Sequence, residues 1–241
     1  ETTNLWGSSN KKPTPLTTSK YCTCTPLKPY PAILREKSHI TLIVGKRGSG
    51  KTYLTVNKLL MSNRAWKGVY DRIFIISETF MMQKIWVQLS PDGIEVHLKF
   101  NEEVLERILQ EQTNDTTGRK VLLLLDDVGS SVLEDKEARS VFHKLCTNGR
   151  HMRLSIVFLS QKMAGQIPTV IRSNTDCAIF FGATSFREQE AAYSEFAMVN
   201  KKSFTEMFRS ATAERHSTLT CVMKEGRLHY YHNLENELFP S

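Results

Sequence analysis

Eight consecutive residues, Gly45-Lys46-Arg47-Gly48-Ser49-Gly50-Lys51-Thr52, set three glycines, a lysine and a hydroxyl at the spacing GxxxxGK[ST]. The chemistry this run can perform is the holding of a phosphate chain. Glycines let the backbone wrap with its N–H groups turned inward, a nest for phosphate oxygens. A helix beginning at Gly50 aims the positive end of its dipole at the same oxygens. Lys51 supplies a point charge to the β- and γ-phosphates, and the Thr52 hydroxyl is a Mg²⁺ ligand. Tyr53, one residue further on, completes the stretch expected to touch a nucleotide.

A second acidic element follows about 75 residues later. The apolar run Val121–Leu125 ends in Asp126-Asp127. A buried strand that delivers a carboxylate beside a phosphate loop is where such proteins hold Mg²⁺. Asp126 is expected to be that partner, directly or through water. Asp127 points elsewhere and is placed to orient or deprotonate an attacking water. Asp126-Asp127-Val128-Gly129 also fits DxxG, but no N/TKxD guanine-reading motif follows, which favours ATP over GTP. Gln161 ends the next strand, LSIVFLS, where its amide could reach the γ-phosphate or the water. That extra strand between the two acidic and phosphate-binding elements fits the ASCE, or RecA-like, class of P-loop proteins.

Positioning these groups requires a sheet. From Ser38 onward, short apolar runs alternate with helical patterns. The runs are His39–Val44, Arg72–Ser77, Glu95–Phe100, Val121–Leu125, Leu154–Ser160 and Cys177–Phe181. Several are apolar on both faces, as strands buried on both sides must be. Between them, helices are expected over Lys51–Asn63, Glu102–Gln112, Leu133–Thr147 and Ser185–Val199. The alternation predicts an α/β fold, a mainly parallel sheet flanked by helices. Lys201–Ala213 reads as a further helix. Thr218–Met223 and Arg227–His232, joined by Lys224-Glu225-Gly226, read as a C-terminal β-hairpin extending the sheet edge.

The 241 residues suit one ordinary domain, with residues 32–241 as a P-loop ATPase domain whose core spans about 38–200. Residues 1–31 hold five of the eight prolines and read as an extended Pro/Thr-rich N-terminal tail. No apolar run reaches the roughly 18 residues of a membrane span, and ETTNLWGSSNKKP lacks a secretory h-region, so a soluble intracellular protein is expected. The five cysteines are odd in number and form no CxxC pair, which points to reduced thiols. His143 and Cys146 lie three apart on a helix without the further ligands a zinc site needs. The net charge of +7 suits a polyanionic partner.

Taken in order, GKRGSGKT, VLLLLDD, Gly149-Arg150-His151 leading into LSIVFLSQ, and Ile167-Pro168-Thr169-Val170-Ile171-Arg172-Ser173-Asn174-Thr175-Asp176 resemble the genome-packaging ATPases of large double-stranded DNA viruses and virophages. These belong to the FtsK–HerA superfamily of DNA translocases. The resemblance covers roughly residues 38–200. It departs at Asp126-Asp127, where cellular members commonly carry Asp-Glu. It implies a homo-oligomeric ring of five or six subunits, with ATP and Mg²⁺ at the interfaces and double-stranded DNA driven without sequence preference into a capsid at a vertex or portal. It implies residence in the virion or a cytoplasmic virus factory. A ring motor also needs an arginine finger, for which Arg172 and Arg150, both expected near the Gln161 edge, are the candidates. Lys46, Arg47, Lys162, Lys201 and Lys202 are basic residues expected near loops that could grip DNA phosphates, and Val128–Lys136 reads as a moving loop. A helicase, a nucleotide kinase or a non-hydrolysing ATP-binding scaffold at the capsid vertex would share the P-loop.

Overall fold

The computed structural model describes residues 30–183 and 185–239; the tail expected over residues 1–31 therefore lies almost wholly outside the described residues. After a short helix α1 (Ile33–Glu36), the chain runs β1 (Ile40–Val44), α2 (Lys51–Tyr53) and a π-helix (Leu54–Leu60), β2 (Arg72–Ser77), β3 (Ile94–His97) and α3 (Glu102–Thr113). It continues through β4 (Val121–Asp126), α4 (Gly129–Glu134), α5 (Lys136–Asn148), β5 (Leu154–Ser160), α6 (Thr169–Asn174) and β6 (Cys177–Phe180). Two helices, α7 (Phe186–Phe196) and α8 (Lys201–Ala211), precede β7 (Leu219–Lys224), β8 (Arg227–His232) and β9 (Asn236–Leu238).

These strands form one sheet in the order β3-β2-β4-β5-β1-β6-β7-β8-β9. Pairing is parallel from β3 to β6 and antiparallel from β6 to β9. The expected α/β architecture and the C-terminal extension of the sheet are both present. The hairpin gains a third strand, β9, that the sequence pattern does not announce.

Strand alternation divides the apolar residues between two cores. In β4, Val121, Leu123 and Leu125 face one core, and Leu122 and Leu124 face the other. The first core lies under α3, α5, α7 and α8 and is rich in rings. Phe180 meets Phe196 at 5.5 Å and Phe208 at 6.0 Å between ring centroids. The second core packs Val56, Leu59 and Leu60 of the π-helix with Trp66, Phe80 and Trp86. Each fully buried leucine of this kind contributes about 1.5–3 kcal/mol, so β4, with all six residues buried, is fixed at the centre of the sheet.

Several elements differ from the sequence reading, among them β3, which ends at His97 rather than Phe100. The helix after the phosphate loop is α-helical only through Tyr53; Met61 N–H then bonds the Val56 carbonyl five residues back at 2.9 Å, a π-type turn. The single helix expected over Leu133–Thr147 is two, because Asp135 ends α4 and its carboxylate accepts from Ala138 N–H at 2.9 Å to cap α5. Most of Val128–Lys136 is accordingly helix rather than loop. Between β2 and β3, 3₁₀ turns at Phe80–Met82 and Lys84–Gln88 bury Phe80 and Trp86.

One buried titratable group sits at the N-terminal edge of the sheet. His39 stacks on Trp66 at 5.9 Å and donates from Nδ1 to the Lys37 carbonyl at 3.0 Å. Burial pushes its pKa below the ordinary 6.5, only partly offset by the Lys37 carbonyl and Asp176. Below about pH 6.5 the unfolded chain therefore binds a proton that the folded chain refuses, and stability falls as pH drops. His39→Gln is expected to flatten the dependence of the thermal midpoint on pH between about 5 and 6.5, read by melting curves across that range.

Candidate phosphate and metal site

The loop between β1 and α2 stands at the C-terminal edge of the parallel strands. Its shape rests on glycine at two positions. Gly50 has φ +105°, a conformation that side chains rarely adopt. At Gly45 a Cβ would lie 2.6 Å from Ser49 Oγ and 2.8 Å from Phe181 Cβ. Lys51 is buried, and its Nζ donates to the Gly45 carbonyl at 2.6 Å and the Lys46 carbonyl at 3.3 Å. The ammonium is thus curled over the loop it belongs to, where phosphate oxygens can replace those carbonyls. Burial lowers its pKa, and Asp126 and Asp127 work in the opposite direction. Lys46, Arg47 and Gly48 form the exposed crest of the loop.

Asp126 is the last residue of β4 and is buried. Its Oδ2 accepts from Ser77 Oγ at 3.2 Å and Gln83 Nε2 at 3.3 Å. Burial raises its pKa; Ser77 lowers it, Asp127 raises it, and Lys51 and Gln83 lower it. Both hydrogen bonds fall on one oxygen, which leaves Oδ1 for an outer ligand. A carboxylate and the Thr52 hydroxyl are hard oxygen donors of the kind Mg²⁺ takes, and a divalent cation would relieve the cost of ionising a buried acid. The donor set fits the ion.

Asp127 adopts φ +59°, a left-handed conformation that Asp and Asn tolerate better than most residues. Its carboxylate has a partner different from those of Asp126. Its Oδ2 accepts from Gln161 Nε2 at 2.5 Å. The two strand ends thus bring together the residues expected to handle water. Glu78 is a neighbour that sequence reasoning missed. Ser77 pairs with Asp126 in register, so Glu78 leaves the sheet alongside Asp127, and Ser131 Oγ donates to its Oε1 at 2.7 Å. Ser77 and Gln83 were also missed. Ser77 becomes visible as a strand terminus once β2 is placed beside β4, whereas Gln83 carries no local signal.

Of the two arginines, Arg150 lies elsewhere than expected. Arg150 pairs with Asp176, whose Oδ2 also accepts from Ile40 N–H at 2.9 Å. Ile40 opens β1, so Arg150 stands at the N-terminal edge of the sheet, opposite Gln161. Arg172 pairs with Glu195 and donates to Thr169 Oγ1 at 3.2 Å. Glu195 is seven positions, roughly 10 Å of helix, beyond Glu188, and it is Glu188 that reaches the Gln161 edge by accepting from Met163 N–H at 2.5 Å. The expected proximity to Gln161 is therefore corrected for Arg150. Lys201 is tied to Glu190 at 2.6 Å at the start of α8. Among the described residues, no three His, Cys, Asp or Glu side chains group as a metal site, and Cys146 is buried.

A phosphate loop on a central β1, an acidic β4 end and a polar β5 end inserted between them define a P-loop NTPase of the additional-strand type. The Poxvirus A32 protein family model matches residues 30–224, and the chain belongs to that family. The resemblance to viral packaging ATPases read from the motifs agrees with this membership. The chain is 27% identical over 191 residues to an uncharacterized protein, 075L, of Invertebrate iridescent virus 6, covering 73% of this chain and 70% of that one. The genome packaging NTPase B204 of Sulfolobus turreted icosahedral virus 2, solved with sulfate, superposes with a TM-score of 0.56 at 14% identity, covering 81% of this chain and 96% of that one. The cytoplasmic domain of the type VII secretion ATPase EccC of Thermomonospora curvata superposes with a TM-score of 0.57 at 10% identity, covering 88% of this chain and 29% of that one.

Proposed function

We propose that the chain is an ATP-hydrolysing, Mg²⁺-dependent motor that drives double-stranded DNA into a viral capsid. The observation that carries this reading is the meeting of Lys51, Asp126, Asp127 and Gln161 at one sheet edge in a member of the A32 family. The B204 structures include a complex with ATP-gammaS, which supports nucleotide binding on this fold.

Lys51 and the loop amides hold the phosphates. Thr52 and Asp126 would hold Mg²⁺, which would supply charge neutralisation to the phosphate chain. Asp127, oriented by Gln161, takes the proton of the attacking water. The subunits form a ring that encloses DNA and grips its backbone, since a pump cannot depend on sequence. Met81, Met82 and Val87, exposed by 61%, 84% and 70%, surround the turn that delivers Gln83 to Asp126. This apolar surface beside the site supports a neighbouring subunit there. Arg172 and Arg150 remain the candidates for the finger, each released from its carboxylate partner when it acts in trans.

The test is steady-state ATP hydrolysis with and without random-sequence duplex DNA across a salt series, with Lys51→Ala as control. DNA is expected to stimulate turnover at low salt, with stimulation fading as salt rises, because backbone neutralisation releases counterions. Hydrolysis indifferent to DNA at every salt concentration would transfer the site to another P-loop chemistry or to a motor active only on its capsid.

A further inference from the structure

The phosphate loop, Asp126 and Gln161 stand where β1, β4 and β5 end. The opposite edge, where these strands begin, collects a different set of side chains. Ile40 pairs with Ile156 and Val121 with Leu154, so β1, β5 and β4 start side by side. The residues leading into them include Lys37, Arg153 and Lys120. Carried back along these registers, the three form a row across neighbouring strands, which lie about 4.8 Å apart. The contacts agree. Val121 N–H bonds the Arg153 carbonyl at 3.1 Å, and Arg35, Lys37, Lys120 and Arg153 line one cavity of about 10 Å³ with Tyr70 and Ser155. All four cations are exposed. Lys37, Lys120 and Arg153 make no ion pair among the described residues. The Arg153 guanidinium packs on Gly118 so closely that any Cβ there would collide with it, which positions the group rather than leaving it loose in solvent. Three acids near this edge are taken up by the protein itself. Asp71 accepts from Lys120 backbone N–H at 2.7 Å, Asp115 from Gly118 and Arg119 N–H at 2.8 Å, and Asp176 holds Ile40 N–H and Arg150.

We propose that Lys37, Lys120 and Arg153, at the sheet edge opposite the phosphate loop, grip the phosphate backbone of double-stranded DNA. This rests on the DNA-motor reading above and deepens it by naming the face that meets the duplex. A cavity of about 10 Å³ has room for about one water, so it encloses no nucleotide or free phosphate. A row of exposed cations fits an extended polyanion instead, and a duplex offers one charge per about 1.7 Å of its axis. Lysine meets phosphate as a point charge and reads no base, which suits a grip indifferent to sequence. Among the described residues, none of the exposed large apolar side chains belongs to the segments just before β1, β4 and β5. A lipid surface would call for such anchors beside the charge, so the face favours nucleic acid. The grip is distinct from Lys46, Arg47 and Lys162, which follow β1 and β5 at the nucleotide edge. β1 joins the two edges: Lys37 lies just before it and the phosphate loop just after it, with five buried residues, roughly 16 Å of strand, between.

The experiment measures binding of fluorescent random-sequence duplex DNA to the full chain across a salt series, with DNA-free ATP hydrolysis as the check on folding. Lys37→Gln combined with Lys120→Gln is expected to weaken DNA binding about tenfold at low salt. It is expected to lower the slope of log affinity against log salt by about two, one for each lost phosphate contact. Hydrolysis without DNA is expected to keep the wild-type rate, because both residues stand at the edge away from the nucleotide. Adding Arg153→Gln is expected to lower the slope by about one more. Lys37→Arg with Lys120→Arg keeps the charges and is expected to keep affinity and slope. Lys99→Gln with Lys136→Gln removes the same charge from segments that follow β3 and β4 at the other edge, and is expected to leave the slope as in the wild type. An equal loss in that control reduces the effect to net charge and overturns the grip. A Lys37/Lys120 double variant that binds DNA as the wild type does also overturns it, while the motor reading stands. If that variant loses binding to phosphatidylserine vesicles instead, the face belongs to a lipid surface and the proposal falls. A wild type that binds no duplex at any salt overturns the DNA-motor reading and the grip with it.

Discussion

Lys51→Ala is expected to reduce ATP affinity or turnover by about 10²–10⁴-fold. The ammonium spans two loop carbonyls and can exchange them for phosphate oxygens. Hydrogen bonds to a charged group are worth about 1.5–3 kcal/mol each, and two of them convert to that range at 1.4 kcal/mol per tenfold. The fold is expected to survive. Removal of the lysine also removes the cost of burying a charge, seen in the lowering of its pKa. The thermal midpoint should therefore shift by only a few degrees, while binding measured by calorimetry collapses. Lys51→Arg should not rescue it, because a planar fork cannot occupy the place of a compact ammonium enclosed by its own loop. Turnover retained by Lys51→Ala would remove the phosphate-loop assignment.

Legibility in the sequence follows the range of the interaction concerned. The phosphate loop is readable because all its groups lie within eight residues and its chemistry is local. Strands β2 and β5 keep the bounds their patterns predict, Arg72–Ser77 and Leu154–Ser160, because each is a run of mostly β-branched, leucine and phenylalanine residues, and the one polar residue inside β5, Ser155, is small and hydrogen-bonded to His39 N–H. The helix break at Asp135 is harder to read. No glycine or proline stands there, and only the capping carboxylate marks the boundary. The contacts that complete the site are not legible at all. Gln83 reaches Asp126 across 43 positions, and His216 reaches Ser49 across 167. Both depend on which strands become neighbours, a decision made by the whole sheet. The arginines illustrate the same limit. Arg150 and Asp176 each look like motif residues, yet their pairing is fixed by β1 and β6 lying side by side.

The second large effect concerns the proton acceptor. Asp127→Asn is expected to preserve ATP and Mg²⁺ binding and to lower the hydrolysis rate by about 10²–10⁴-fold, the usual contribution of a positioned general base. The substitution is gentle on the structure. Asn is at ease at the left-handed φ of +59°, and its amide oxygen can still accept from Gln161 Nε2. What disappears is the negative charge and the basic lone pair. Single-turnover hydrolysis and a Mg²⁺ titration separate the possible roles. A reduced rate at unchanged Mg²⁺ dependence identifies Asp127 as the group that takes the proton. A shift of the titration to higher Mg²⁺ makes it a metal ligand beside Asp126. Unchanged hydrolysis would move the role to Glu78, which leaves the adjacent strand at the same level and is held by Ser131. In that case Glu78→Gln must abolish the activity that Asp127→Asn spares. The two carboxylates differ in what fixes them: Asp127 is held by an amide on the strand between it and the phosphate loop, and Glu78 by a hydroxyl on α4. Only the first arrangement couples the base directly to the strand end that can sense the γ-phosphate, and this is why the larger effect is expected at Asp127.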